Sequence, residues 1–316
     1  MIKIDLSQYD IQKIEECFLT DMKNRNTGLF QILNQNTVRK LLKNPQYRKL
    51  YCFFYNANGN IQKDNVRNLL LADRKNMKKY INDLGEFSDS ESKKLLKTVF
   101  KYDTFSSCKC AYDILQIEDV TVCPYCNRQY VFTLHKKRVR SQFDHFYPKS
   151  KYPYLALSIF NLIPCCSICN QAKSSLDTFE NPILYPFEEE FGDKVRFKID
   201  GTDFRQWQGI TDDFEVIIDD EKICKDKRRK VEKQNEQLHL QEFYNQHKDY
   251  IKDIAWNHYI NTSERINEIM KMFPGMFRTK EDALSVVYMN DVREDRLGKR
   301  PLAKLTRDIY NMLENT

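Results

Sequence analysis

The strongest constraint in this chain is a set of two cysteine pairs, each with two residues between its members. The first pair is Cys123 and Cys126, and the second is Cys166 and Cys169. A C-x-x-C turn presents both sulfurs to one ion, so two such turns supply the four ligands of a tetrahedral structural zinc. Cys165 precedes the second pair, but its longer spacing to Cys169 makes Cys166 the better ligand. We therefore predict one zinc site built by the two pairs.

Ligands of another kind lie between and just after the cysteine pairs. They are Asp144, His145, Asn161 and Asn170. A carboxylate, an imidazole and two amides are hard or borderline ligands and bases, and they suit a second, catalytic metal with a bound water. A zinc site around a histidine-based hydrolytic site predicts a nuclease.

These residues resemble the zinc-bearing branch of the HNH endonucleases, whose pattern reads C-x-x-C, D-H-x-x-P-K-S, N-L and C-x-x-C-[HN]-x-x-K. The string from Asp144 to Leu157 is similar to the PtuB-like nucleases of the Septu defence system and their retron-associated relatives. The resemblance covers about a sixth of the chain, from Cys123 to Lys173. Weaker similarity follows at 235–251 and 300–309, and residues 1–107 carry no family signature.

The resemblance implies a ββα-metal fold and a role for each polar residue of the motif. His145 is expected to be the general base, because an imidazole is close to its pKa at neutral pH. Asp144 and Asn170 are expected to bind a catalytic Mg²⁺ or Mn²⁺, and Asn161 to orient the ring of His145. The third letter of the motif is Asn170 here. Its amide oxygen is harder than a histidine nitrogen, which leaves the identity of the metal open.

A cluster of cations precedes the Asp-His motif. It includes Lys137, Arg138 and Arg140, and Lys173 follows the last cysteine. Because nucleic-acid binding depends on clustered cations that contact phosphates, we expect these residues to bind substrate. The alternative is a charged hairpin turn, with Lys173 as an ordinary surface lysine. The net charge of +6 is too small to decide.

Composition predicts a mostly helical chain, and with the β-rich runs of the nuclease module the expected fold class is α+β. Only 8 Gly and 9 Pro interrupt 316 residues, and 30% of these are charged. Helices are expected over 7–20, 37–55, 62–84, 90–102, 226–260, 264–275, 279–290 and 299–314. The predicted organisation is a helical region at 1–107, the zinc-bound nuclease module at 108–180, a small β appendage at 181–224 and a helical region at 225–316.

The predicted nuclease module contains a hairpin and a short helix. The β-rich runs 130–135 and 139–146 flank the basic turn, which fits a hairpin, while Pro148, Pro153 and Pro164 mark loops. From Cys166 the ligand-bearing residues follow helical spacing. In the β appendage, the alternating runs 195–199 and 214–219 predict two strands.

Location and partners are also constrained by what the sequence contains. It has no apolar run near the ~18 residues of a membrane span and no signal-peptide pattern at its start, so we expect a cytoplasmic protein. There is no glycine-rich phosphate loop, and the resemblance implies a PtuA-like ATPase partner that docks on the flanking helices. Those helices would otherwise form a larger core or a homodimer.

The expected substrate is nucleic acid, with DNA favoured and RNA left open. The alternative function is a catalytically silent zinc ribbon that binds nucleic acid or protein.

Overall fold

A computed structural model describes residues 1–134, 139–201, 210–211, 213–220 and 223–315. The helices are α1 (Gln8–Asn24), α2 (Leu29–Leu33), α3 (Asn36–Leu42), α4 (Arg48–Phe54), α5 (Lys63–Leu70), α6 (Arg74–Leu84), α7 (Asp89–Leu95), α8 (Tyr102–Ser106), α9 (Lys109–Glu118), α10 (Ser167–Lys173), α11 (Lys225–Leu238), α12 (Leu240–Tyr244), α13 (Lys248–Ile260), α14 (Ser263–Met272), α15 (Lys280–Val287) and α16 (Ala303–Glu314). The strands are β1 (Gln142–His145), β2 (Leu162–Cys165), β3 (Arg196–Asp200) and β4 (Glu215–Asp219). The prediction of a mostly helical α+β protein is confirmed.

Internal contacts divide the chain into two compact units. The N-terminal unit consists of Asp5–Asp119 with Phe132–Pro182, and the C-terminal unit consists of Met1–Ile4, Val120–Val131 and Ile183–Thr316. Among the described residues, no helix combines the length and apolar character needed to span a bilayer.

The N-terminal unit begins with a helix that the sequence predicts well. Ser7 caps α1 by accepting a hydrogen bond from the backbone of Asp10, whose carboxylate bonds back to the Ser7 backbone. The buried residues Ile14, Phe18 and Met22 follow the helical period and give α1 its apolar face. This helix packs against α9 in the same unit.

Two of the predicted helices in this unit are interrupted. The segment 37–55 breaks at Pro45, because proline cannot donate the helical hydrogen bond and disfavours helix in the residue before it. The segment 62–84 breaks before Asp73, which starts α6 by accepting a hydrogen bond from the Asn76 backbone at 2.8 Å. Local capping therefore overrides the longer apolar periodicity.

The predicted hairpin of the nuclease module is confirmed only beside its turn, and the strand β1 has a different partner. In the described residues, runs 130–135 and 139–146 meet at one bridge, between Leu134 and Val139. β1 instead pairs antiparallel with β2, in the register Phe143 opposite Pro164. Pro164 is tolerated because this position alternates with the hydrogen-bonded pairs, so its missing N–H faces the free edge of a two-stranded sheet. Pro164 is therefore in a strand, not in the loop that was predicted.

The C-terminal unit contains the small sheet and the later helices. β3 and β4 pair antiparallel, as the two alternating runs predict. The predicted helix 226–260 is divided at His239, which adopts φ +50° and ends α11. The carboxylate of Asp308 in α16 accepts a hydrogen bond from the Phe197 backbone at 2.9 Å. It also forms an ion pair with Lys304, in the same helix, at 2.6 Å. The hydrogen bond from Phe197 to this buried carboxylate links α16 to β3.

Candidate active site and metal centre

The four cysteines of the two C-x-x-C pairs are all buried. Their sulfur atoms all lie within 4.8 Å of one another. The set is Cys123, Cys126, Cys166 and Cys169, so Cys166 belongs to it and its neighbour Cys165 does not. Cys17 and Cys110 have their sulfurs 3.5 Å apart and are separate from this set.

The donor chemistry of this cluster fits a tetrahedral metal such as zinc. Zn–S bonds of about 2.3 Å place the four sulfurs of such a site about 3.8 Å apart, which is within the observed limit. Backbone N–H groups point at two sulfurs, from Arg128 to Cys126 and from Cys169 to Cys166, each at 3.4 Å. Hydrogen bonds of this kind stabilise thiolates, which are the form of cysteine that binds a metal such as zinc.

The first of these turns is held tightly within the C-terminal unit. The backbone of Cys123 donates to Gln129 at 2.9 Å, and the carbonyl of Cys126 accepts from the Tyr244 hydroxyl at 2.7 Å. Asn127 adopts φ +51°, and its side chain donates to the Leu297 carbonyl at 2.8 Å. The later helices therefore position the first cysteine pair.

Two side-chain contacts fix α10 along β1. Asn170 donates to the side chain of Gln142 at 2.7 Å, and Lys173 donates to Asp144 at 3.1 Å. Residues two apart in a strand and three apart in a helix share a face, so both contacts lie on one face of each element. Asp144 therefore faces α10, and His145 faces away from it.

His145 is buried and has a defined hydrogen-bond partner. Its Nε2 atom lies 3.2 Å from the carbonyl oxygen of Ala156. Burial lowers the pKa of His145 well below its usual range, and the positive charge of Lys149 adds to this effect. The hydrogen bond to Ala156 acts in the opposite direction but does not reverse the shift. The ring is therefore neutral near pH 7.

Tyr102 packs directly on His145 and was not identified from the sequence. The two rings meet edge to face with centroids 4.4 Å apart. The ammonium of Lys149 lies 4.2 Å from the centroid of the Tyr102 ring. Tyr102 belongs to the region without a family signature, and nothing in its local pattern points to a site. The sequence offered one related signal for this contact, the motif residue Lys149, whose ammonium lies over the Tyr102 ring.

Asn161 is fully buried and holds a loop in place. Its side-chain NH₂ donates to the carbonyls of Tyr147 and Leu155 at 3.0 and 3.1 Å. Its side-chain oxygen accepts from the Tyr147 backbone at 2.8 Å. These three bonds close the segment between β1 and β2, which also carries Ala156. Asn161 thus stabilises the loop that contains Ala156, and the carbonyl of Ala156 is the hydrogen-bond partner of His145.

The predicted substrate cations are placed differently from one another. Lys173 is fully buried, and besides Asp144 it donates to the His145 carbonyl at 2.7 Å. The guanidinium of Arg140 lies 5.5 Å from the ring centroid of Phe143. Lys137 and Arg138 lie outside the described residues. Because the ammonium of Lys173 is enclosed, it does not suit direct contact with a substrate phosphate.

A hard cation could be held at Asp144 and Asn170 by oxygen donors. One oxygen of Asp144 is bonded to Lys173, and the carboxylate has a second oxygen. Among the described residues, the four-cysteine set is the one group of three or more His, Cys, Asp or Glu that could hold a metal ion. Mg²⁺ and Mn²⁺ keep several waters, so two protein ligands are compatible with their chemistry.

Comparison with known proteins agrees with this site. Residues 123–176 match the family model described as HNH endonuclease. A Septu protein PtuB of Bacillus thuringiensis is 34% identical over 64 residues, which are 20% of this chain and 23% of that relative. The match therefore spans less than a quarter of that relative's length. No solved structure matches the chain.

The family match begins at Cys123 and ends after α10, so it contains the cysteine set, β1, β2 and His145. The chain therefore carries an HNH endonuclease domain at residues 123–176 and resembles the PtuB-like proteins of that family.

Proposed function

We propose that this protein is a metal-dependent endonuclease that hydrolyses phosphodiester bonds of nucleic acid, with DNA as the favoured substrate. The observation that carries the proposal is the hydrogen bond between His145 Nε2 and the Ala156 carbonyl. This hydrogen bond leaves the other ring nitrogen of His145 available as a base. The carboxylate of Asp144 lies next to it in sequence, on the other face of the same strand.

The hydrogen bond determines the tautomer of His145. A carbonyl oxygen only accepts, so the hydrogen resides on Nε2 and the lone pair of the neutral ring on Nδ1. Nδ1 is then able to take a proton from a water that attacks the phosphorus. The lowered pKa keeps the ring neutral, and the contact with Tyr102 fixes its plane. A positioned general base contributes about 10²–10⁴-fold to such a reaction.

The groups on the opposite face are proposed to hold the catalytic metal. Asp144 and Asn170 would bind Mg²⁺ or Mn²⁺, which when bound stabilises the charge that develops on the phosphate. Lys173 and Gln142 hold those two side chains in place. We assign Lys173 to positioning Asp144, because its ammonium is enclosed. Lys137, Arg138 and Arg140 are proposed to contact substrate phosphates.

The cysteine set is proposed to hold one structural zinc. Four thiolates close the coordination shell and leave no position for substrate, so this metal supports the fold and not the chemistry. The two N–H···S hydrogen bonds support this assignment.

We further propose that the protein is the effector nuclease of a bacterial anti-phage defence system and works with a PtuA-like ATPase in the cytoplasm. The similarity to a Septu protein PtuB supports this. Co-expression with the gene adjacent to it in the genome, followed by size-exclusion chromatography, tests the proposed partnership. The nuclease should co-elute with the ATPase, and cleavage should change when the ATPase and ATP are added. Separate elution with unchanged cleavage would mean a free-standing nuclease.

Cleavage of supercoiled plasmid and of total RNA tests the activity itself. The wild-type protein should cut with Mg²⁺ or Mn²⁺ and stop with EDTA, and His145→Ala should lose at least about 10²-fold in rate. His239→Asn is the matched control, because this side chain is 61% exposed and asparagine tolerates its left-handed backbone. No cleavage by wild-type protein under any condition would favour the silent zinc ribbon.

A further inference from the structure

A basic cleft lies in the N-terminal unit, in the region that carries no family signature. Its volume is about 730 Å³, and its lining includes Lys23, Arg39, Lys63 and Arg67. Asp64 is the one carboxylate among the lining residues. Four cations against one acid give this cleft a positive potential.

The four cations have no carboxylate partner within the described part of the fold. Within the described residues, none of them forms an ion pair with a carboxylate, whereas exposed lysines elsewhere do, such as Lys93 with Asp89 at 2.7 Å. Arg39 is the most enclosed of the four. Its guanidinium lies 5.3 Å from the ring centroid of Tyr55, and its buried Nε has no hydrogen-bond partner. A guanidinium with one buried N–H left unsatisfied, in a cationic cleft, indicates an anionic ligand.

One wall of the cleft is formed by an amphipathic helix. In α5, Lys63 and Arg67 are one turn apart and exposed, while Val66 and Leu69 are buried on the other side. The cations therefore project from one face, and the opposite face anchors the helix in the core. Their substitution should leave the fold intact.

The same helix is tied to the loop that positions His145. The hydroxyl of Ser158 donates to the Leu69 carbonyl at 2.7 Å in a buried contact. Ser158 lies two residues after Ala156, whose carbonyl binds His145. Because Lys63 at the start of α5 lies six residues before Leu69, the helix extends about 9 Å from this contact. A strand of nucleic acid is several times longer than this distance.

We infer that the basic cleft is an accessory site for the phosphate backbone of the nucleic acid that the nuclease cuts. The inference rests on the proposed function, since it assumes a nucleic-acid substrate. The cations come from three helices, α1, α3 and α5, and such a spread suits a chain of phosphates better than a single anion. The cleft would hold the substrate while His145 acts on one bond.

Binding measured without cleavage tests this inference. Full-length His145→Ala protein is mixed with fluorescent 30-mers of single-stranded DNA, duplex DNA and RNA, and anisotropy is followed over a range of KCl. Adding Lys63→Gln and Arg67→Gln should weaken binding about tenfold near 100 mM KCl and lower the salt slope by about 1.8 for duplex DNA.

The control is Lys75→Gln with Lys79→Gln in the same background. These lysines are exposed on α6, have the same spacing and do not line the cleft. This variant should bind like its parent, and equal thermal melting of all proteins excludes a folding effect.

Several results would overturn the inference. They are equal binding by both double variants, equal losses in both, or no binding of any 30-mer by the parent. Saturable binding of labelled ATP that depends on Lys63 and Arg67 would make the cleft a nucleotide pocket instead. Failure of the wild-type protein to cut, with cleft-dependent binding intact, would count against the proposed nuclease activity alone.

Discussion

The ammonium of Lys173 lies 3.1 Å from the carboxylate of Asp144, in an ion pair that is almost completely removed from solvent. Their side chains are 0% and 3% exposed. Lys173 also donates to the His145 carbonyl, so one ammonium holds both residues of the Asp-His motif. The lysine that ends the family pattern thus supports the strand that carries the proposed catalytic residues.

Substitution of Lys173 should therefore be strongly destabilising. Lys173→Met keeps the aliphatic length but removes the ammonium that pairs with the buried Asp144 carboxylate, which costs about 3–5 kcal/mol. Lys93→Met is the control, because its ion pair is exposed and contributes less than about 1 kcal/mol. Urea unfolding of the two variants gives the difference. Equal midpoints would show that Asp144 finds another partner.

Metal analysis should distinguish the roles of the adjacent residues Cys165 and Cys166. Wild-type protein and Cys165→Ser should each contain one zinc per chain, whereas Cys166→Ser should contain much less, because a tetrahedral site needs all four thiolates. Mass spectrometry of the metal content provides the measurement. A chelator should also lower the melting temperature of the wild-type protein, since the metal couples to folding. Folded wild-type protein without zinc would refute the assignment.

Asn161→Asp should disrupt the loop between β1 and β2. The substitution places an oxygen where an NH₂ group now donates to two carbonyls, in a fully buried position. We expect a loss of more than about 2 kcal/mol in the free energy of unfolding. The exposed Asn181→Asp serves as the control and should change stability by less than about 0.5 kcal/mol. Similar melting temperatures for both variants would contradict this role of Asn161.

Local chemistry made much of the fold predictable. The capping pair of Ser7 and Asp10 marks the start of α1, and the alternating runs at 195–199 and 214–219 match β3 and β4. The spacing after Cys166 likewise predicts α10. These features depend on residues within one turn or one strand, where periodicity and capping act directly.

Long-range pairings were not predictable in the same way. β1 pairs with β2 across a long segment that is closed by Asn161, and neither propensity nor turn chemistry reports such a partner. The apolar run at 162–165 was a usable signal, but Pro164 concealed it. The contact of Tyr102 with His145 joins distant parts of the chain and leaves no periodic pattern. Tertiary packing alone places that ring.

Glu118 should make stability depend on pH. Burial raises its pKa well above the usual range, and its Oε2 has no hydrogen-bond partner. Because the folded-state pKa exceeds the unfolded value, its contribution to stability is present at low pH and is lost as pH rises through the folded pKa. Glu118→Gln should therefore gain in melting temperature relative to wild type as pH rises above the usual range of a carboxyl group.

Glu91→Gln provides a control of opposite sign. A hydrogen bond from the Ser88 side chain lowers the pKa of Glu91, so its stabilising contribution is present above its unfolded pKa and is lost as pH falls. Its variant should lose stability relative to wild type as pH rises. The same pH trend in both variants would contradict the assigned burial of Glu118.

Tyr102 should position His145 through its ring and not through its hydroxyl. Tyr102→Phe keeps the edge-to-face contact at 4.4 Å, so cleavage should stay close to the wild-type rate. Tyr102→Ala removes the ring and frees the imidazole to rotate, and we expect kcat to fall at least about tenfold, since misplacing a catalytic group is costly. Plasmid cleavage at saturating DNA measures kcat, and KM should change little in both variants. A Phe variant as impaired as the Ala variant would instead assign a role to the hydroxyl.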